Sequence, residues 1–114
     1  MGVEKILVNH PDDKVCGFPK EGQLEMIRHG AILEQALITT MPGWGELSIR
    51  DIAARIHSLG AEHCVLVTDF GQTHHEIPTH GLKRFVRELL ANGINQEEIH
   101  VMLCVNPCNL LGIT

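Results

Sequence analysis

Three side chains that can bind a metal ion or carry protons lie at or near the ends of the most apolar segments of the sequence. His10 follows the run ILV at residues 6–8, Glu34 lies within the second run, and Asp69 follows the run CVLV at residues 64–67. The carboxyl ends of neighbouring parallel strands meet at one edge of a sheet, so these side chains are expected to converge there. One imidazole and two carboxylates suit a divalent metal ion, which would turn a bound water molecule into a nucleophile.

Each of these residues also has a purely structural interpretation. An aspartate before Phe-Gly, as at Asp69, often only orders a turn. His10, which precedes Pro11, can simply end a strand, and Glu34 can lie where water reaches it. The spacing alone leaves the metal site and the structural interpretation both open.

The apolar patterns predict three buried parallel strands separated by helices. Short runs rich in Val and Ile are typical of such strands, and they lie at residues 6–8, 31–38 and 64–67. Apolar residues at helical spacing predict four helices, at about residues 21–29, 49–59, 82–90 and 96–105. Ser48 with Asp51 has the spacing of a capping box, as does Asn95 with Glu98, and Asn106 is predicted to cap a short last helix. The element order is therefore β-α-β-α-β-α-α, in which helical crossovers join parallel strands.

The length predicts one domain with an unusually small sheet. The chain has 114 residues, so residues 1–114 are expected to form a single domain. Three parallel strands leave two unpaired edges, and a complete (β/α)8 barrel takes about 250 residues. The predicted fold class is α/β. It is either a three-stranded sandwich or a partial (β/α) barrel, which a partner chain or a further N-terminal half would complete.

The composition argues against several classes of partner. Nine Lys and Arg against 14 Asp and Glu give a net charge of −5 with no basic run, so we expect no nucleic-acid binding. No apolar stretch approaches the roughly 20 residues that cross a bilayer, and no signal peptide is evident, so we expect no membrane association. The four cysteines form no CxxC pair, and we expect reduced thiols in the cytoplasm. Cys104 and Cys108 are interpreted as core thiols rather than metal ligands.

Several segments resemble the C-terminal part of amidohydrolase-superfamily barrels, closest to an uncharacterised amidohydrolase-like family. The matching stretches span about residues 5–113 and read NHP, ILEQAL, CVLVTDFGQ, GLKRFVRELLANGI and EEIHVMLCVNPCNLLGI. The motifs TDFGQ and NPCNLLG are moderately specific together and weak separately. The resemblance implies a metal-dependent hydrolase that uses a divalent ion, with zinc as the first expectation, to activate water against an amide, ester or phosphoester.

The resemblance also implies roles for residues at matching positions. Asp69 corresponds to the last-strand aspartate, which in that superfamily binds metal and takes a proton from the attacking water. His10 looks like a mid-barrel histidine that binds metal or polarises the substrate carbonyl, and Glu34 matches an acidic position without an assigned role. No His-x-His sequence occurs in the chain, so the metal-binding pair of the superfamily's first strand has no counterpart.

The loop after Asp69 supplies the candidate substrate contacts. Gln72, His74 and His75 lie in it, and in a barrel they would line the mouth of the site. The alternative for each is a solvated polar loop.

Three functions follow from these patterns. The first is a metal-dependent hydrolase acting on a small molecule, in which His10 and Asp69 should lie within about 8 Å of each other at the ends of adjacent strands. The second is a non-catalytic half-barrel that self-associates or binds a completing chain. The third is a small ligand-binding domain whose site is a rim formed by Asn9, His10, Asp69 and Gln72.

Overall fold

The computed structural model describes residues 2–113 and contains one parallel sheet. Its strands are β1 (Ile6–Val8), β2 (Ala31–Ala36) and β3 (Cys64–Val67), in the order β1-β2-β3. The predicted α/β class and the three parallel strands are confirmed. In the described part of the chain the sheet is open, with β1 and β3 at its edges.

Five α-helices accompany the sheet among the described residues. They are α1 (Lys20–Arg28), α2 (Ile49–Leu59), α3 (Pro78–Ala91), α4 (Gln96–His100) and α5 (Asn106–Leu111). None of the helices within residues 2–113 combines the length and the apolar character that crossing a membrane requires.

Both predicted capping boxes are present. Ser48 Oγ accepts the N–H of Asp51 at 3.0 Å, and the Asp51 carboxylate accepts the N–H of Ser48 at 2.8 Å. Asn95 and Glu98 make the same reciprocal pair at 2.9 and 2.8 Å. These bonds satisfy backbone donors that the first turn of a helix leaves free, so they fix where α2 and α4 begin.

The two faces of the sheet are covered differently. The packed face carries Leu33, Cys64 and Leu66, which belong to one buried cluster with apolar residues of α2 and α3. The open face, on the alternate positions of the same strands, carries Leu7, Ile32, Glu34, Val65 and Val67. α5 approaches the open face beside β3, and a groove of about 270 Å³ remains between them.

The prediction that all three strands are buried is wrong for β1. Ile6 is 37% exposed and Leu7 is 42% exposed. The strand has a neighbour on one side only, so its apolar side chains lack the contacts that bury those of β2.

The second predicted strand is also shorter than its apolar run. β2 ends at Ala36, and a 3₁₀ turn over Leu37–Thr40 follows. Thr39 Oγ1 donates to the Ala36 carbonyl oxygen at 2.7 Å, which stabilises this turn.

The prediction that Asn106 caps a separate last helix is wrong. The backbone stays helical from α4 through a π turn at Val101–Val105 into α5, and the Asn106 N–H donates to the Val101 carbonyl. The Asn106 side chain is buried and donates to the carbonyl oxygens of Ala61 and Cys64 at 3.0 and 2.7 Å. Pro107 lacks a backbone donor and crowds the preceding turn, and the wider π turn accommodates it without ending the helix.

Candidate active site

The residues predicted to carry chemistry lie at the carboxyl-terminal edge of the sheet. His10 follows β1, Glu34 lies in β2, and Asp69 follows β3. His10 has φ 52° and Asp69 has φ 55°, both in the left-handed region that side chains other than glycine rarely adopt. Backbone strain of this kind clusters at functional sites, since the fold must stabilise it elsewhere.

The His10 imidazole lies between the two carboxylates. Its Nδ1 is 3.3 Å from Glu34 Oε1, and its Nε2 is 3.6 Å from Asp69 Oδ2. The two edge strands thus bring His10 and Asp69 well within the expected 8 Å. They are not on adjacent strands as predicted, because β2 lies between β1 and β3 and contributes Glu34 from the middle.

The three side chains differ in their access to water. The Glu34 side chain is 10% exposed, whereas those of His10 and Asp69 are 33% and 42% exposed. Burial raises the pKa of the Glu34 carboxyl above its ordinary value; the neighbouring His10 opposes this rise, and the charge of Asp69 adds to it. His10 Nδ1 is shielded from solvent and, among the described residues, has no aligned hydrogen-bond partner, although Glu34 is close.

A partly buried polar cluster holds the loop that carries His10. Asp12 Oδ1 accepts a hydrogen bond from Gln23 Nε2 at 2.8 Å and lies 3.2 Å from an Arg55 guanidinium nitrogen. Gln23 is fully buried in α1 and also donates to the Phe18 carbonyl at 2.9 Å. We call Asp12, Gln23 and Arg55 the loop clamp, since they connect the His10 loop to α1 and α2.

Sequence reasoning missed the loop clamp. The apolar pattern of α1 predicts that Leu24 and Ile27 face inward, and both are partly buried against the core. The fully buried residue of that helix is nevertheless Gln23. A polar residue beside apolar positions is a weak signal by itself, because its partner Arg55 is far away in the sequence.

The loop that carries Asp69 is packed against α3. Gly81 lies beside the Phe70 ring, and a Cβ at position 81 would approach Phe70 Cδ2 to 2.7 Å. The Phe70 ring also contacts the His75 ring, with centroids 4.9 Å apart. The absence of a side chain at Gly81 therefore lets Phe70 anchor the residue that precedes it, Asp69.

The three candidate substrate-binding residues all lie in this loop. Gln72 Oε1 is 2.8 Å from His75 Nδ1, and Gln72 Nε2 donates to the Asp69 carbonyl at 3.4 Å. The rings of His74 and His75 have centroids 4.3 Å apart. These contacts order the loop itself, and they connect Gln72 to the backbone of Asp69.

A comparison of the chain with protein-family models, curated proteins and solved structures found no match. The chemistry of the site therefore rests on its own geometry.

The His10 imidazole faces a carboxylate on each side. A neutral imidazole has one N–H and can donate to one carboxylate only. If that hydrogen is on Nδ1 and faces Glu34, the lone pair of Nε2 faces Asp69 Oδ2 at 3.6 Å. Two electron-rich atoms in this arrangement are stabilised by a proton or a metal ion between them.

The same distance fits two ligands of one metal ion. Ligands about 2.1 Å from a tetrahedral zinc ion lie roughly 3.4 Å apart. Glu34 would then orient His10 through Nδ1, as carboxylates behind metal-binding histidines commonly do. Within residues 2–113, however, no three His, Cys, Asp or Glu side chains are gathered as a ready-made metal site. This chain thus offers two ligands and an orienting carboxylate.

Proposed function

We propose that the chain carries part of a metal-dependent hydrolase centre of the amidohydrolase type, acting on an amide, ester or phosphoester of a small molecule. The observation that supports this most strongly is the His10 imidazole between the carboxylates of Glu34 and Asp69. His10 and Asp69, which face each other, both have a left-handed backbone, and each such conformation costs about 1–3 kcal/mol of stability.

Each residue of the centre has a distinct role in this proposal. Glu34, the most buried, holds the His10 ring through Nδ1. Asp69, the most exposed, accepts the proton of the attacking water. His10 Nε2 and Asp69 would hold a divalent ion, zinc in our proposal, which supplies Lewis-acid polarisation of water or of the substrate carbonyl when bound. Gln72, His74 and His75 would contact the substrate from the adjacent loop.

We also propose that the centre is incomplete in the isolated chain. Two ligands are fewer than the three protein ligands that catalytic zinc sites ordinarily use. The three-stranded sheet would be part of a (β/α) barrel, with the open face as the barrel interior and a further chain or segment supplying the other strands. A cytoplasmic location accompanies this proposal, because the four cysteines are free thiols.

Metal content and hydrolysis of the purified chain test the hydrolase proposal. We would load the protein with zinc, remove the excess, measure zinc per chain by elemental analysis, and screen amide, lactone and phosphoester substrates. His10→Asn and Asp69→Asn are the informative variants, since asparagine tolerates the left-handed backbone and removes only the functional group. Each is expected to weaken the zinc binding that the two ligands give the isolated chain, and to lower any hydrolysis by about 100-fold or more.

His29→Asn is the matched control for these variants. His29 also contacts a glutamate, Glu25, at 3.1 Å, but on the exposed surface of α1. It should leave zinc content and hydrolysis unchanged. Full activity in Asp69→Asn would remove Asp69 from the mechanism, and zinc that the native chain binds but both variants retain in full would remove the site.

A non-catalytic interaction subunit is the second candidate function. It is favoured by the exposed apolar residues of β1 and by the groove on the open face, which Leu7, Val65, Val67 and Leu110 help to line. In that case the chain self-associates or binds a completing chain. Neither nucleic acid nor membrane has a part in this proposal.

Sedimentation over a range of concentrations tests this second function. The chain should associate, and Leu7→Lys should shift it toward monomer. Val3→Lys, at an exposed position outside the strands, is the control and should change nothing. A single monomeric species at high concentration would contradict self-association.

A further inference from the structure

Two cysteines of the C-terminal helical segment are accessible rather than packed in the core. Cys104 is exposed, Cys108 is partly exposed, and both are free thiols. The prediction of core thiols is therefore wrong for Cys104. The apolar neighbours of this residue in sequence do not bury it, because it lies on the outer side of the π turn.

The π turn aligns the side chains of this segment. In an α-helix, four residues overshoot a full turn by about 40°, so residues at i and i+8 diverge around the axis. A π turn has more residues per turn, so four residues fall short of a full turn. It therefore offsets the overshoot of the neighbouring α-helical turns. The π turn at Val101–Val105 lies between His100 and Cys108, so it keeps His100, Cys104 and Cys108 near one line.

These residues line one surface cavity. It has a volume of about 350 Å³ and is lined by His100, Cys104, Val105, Cys108, Asn109 and Ile113. Residues four apart on a helix have Cβ atoms about 5–6 Å apart, so the two sulfur atoms can approach one ion from both sides. The described lining offers two sulfur atoms, one imidazole, one amide and apolar carbon, with no side-chain carboxylate.

We propose that Cys104 and Cys108 form a dithiol site for a soft monovalent metal ion of the copper(I) type. Thiolates are the ligands that such ions prefer. Binding forms two copper–sulfur bonds and releases the two thiol protons to solvent, so the affinity falls as pH falls. The site is separate from His10 and Asp69 and stands independently of the proposed hydrolase.

The ligand set favours copper(I) over zinc. Structural zinc sites take four protein ligands, and this cavity offers two thiols with one imidazole a turn earlier. A singly charged ion also loses less hydration than a divalent one when it enters an apolar cavity without a carboxylate. With two thiolates the bound ion forms a complex with a single net negative charge, which the solvent-facing side of the cavity can hydrate.

Competition for copper(I) tests the proposal with the full chain. Copper(I) is kept reduced with ascorbate and partitioned between the protein and a coloured copper(I) chelator, with a parallel titration of zinc. We expect one copper(I) per chain and weaker zinc binding. Cys104→Ser and Cys108→Ser should each weaken copper(I) binding by more than about 10-fold, given that each removes one of two soft ligands.

Cys16→Ser is the matched control, because Cys16 is another exposed free thiol. It should change copper(I) affinity by less than about 2-fold, and circular dichroism should show each variant folded. An equal loss in Cys16→Ser, or undiminished binding in the Cys104→Ser/Cys108→Ser double variant, would overturn the site. So would a disulfide between Cys104 and Cys108 in the protein as isolated, found by thiol titration and mass, since the pair would then be a redox couple.

Discussion

The packed face and the open face of the sheet are built from the same strands but differ in burial and in the polar groups they carry. On the packed face, Leu33, Cys64 and Leu66 are buried against apolar residues of α2 and α3. On the open face, Leu7 is largely exposed, and Glu34 is a carboxyl that burial has made harder to ionise. The comparison indicates that the packed face contributes more to stability, whereas the open face combines the buried Val65 with groups whose partners are incomplete.

Truncating one leucine on each face is the strongest test of this difference. Leu33→Ala should lower the free energy of unfolding by about 2–5 kcal/mol, because Leu33 is fully buried and the substitution leaves a cavity. Leu7→Ala should cost about 1 kcal/mol or less, because Leu7 is 42% exposed and its truncation leaves no enclosed cavity. Urea denaturation measures both. Equal losses would show that the open face is packed in solution, for instance by a second chain.

The loop clamp adds a third region to the comparison. It is a polar cluster that should contribute to stability beside the His10 loop. Asp12→Ala should cost about 1–3 kcal/mol, since it leaves the Arg55 charge and the buried Gln23 amide without their partner. The matched control is Glu25→Ala, which breaks exposed contacts to Arg28 and His29 and should cost under about 1 kcal/mol. If the two variants unfold at the same urea concentration, the clamp does not hold the loop.

The smallest expected effect is the pH dependence from Glu34. The pKa of this carboxyl is raised above its ordinary 4.5, so its contribution to stability is present below pH 4.5 and is lost as pH rises through the folded-state pKa. Glu34→Gln should therefore be more stable than the native chain at pH 7, and the difference should shrink as pH falls toward 4.5. Thermal unfolding at several pH values measures it.

Asp51→Asn provides a control of opposite sign. Hydrogen bonds from Ser48 lower the pKa of the Asp51 carboxyl below its ordinary 3.8, so its stabilisation is present above that value and is lost as pH falls. The variant should be less stable than the native chain at pH 7, and this difference should fade in acid. A Glu34→Gln profile that parallels that of Asp51→Asn would contradict the burial of Glu34.

Much of the fold was predictable from local patterns. The three strands, the start of α2 at its Ser48 cap and the start of α4 at its Asn95 cap depend on residues within a few positions of each other. The convergence of His10 and Asp69 was also predictable, because parallel strands place their carboxyl ends at one edge. Local patterns did not predict three other features. These are the exposure of β1, the strand order that places β2 between β1 and β3, and the path of the last helix.

The sequence by itself determined the α/β class, the helix caps and the presence of one imidazole and two carboxylates at strand ends. These features follow from periodicity and from short-range hydrogen bonds, which the neighbouring residues specify. Only the tertiary structure decided that the His10 ring lies between Glu34 and Asp69, that Asp12 contacts Arg55, and that Asn106 is buried beneath Ala61. Such contacts join residues up to 59 positions apart, as for His10 and Asp69, so they depend on how the packed elements meet and not on local pattern.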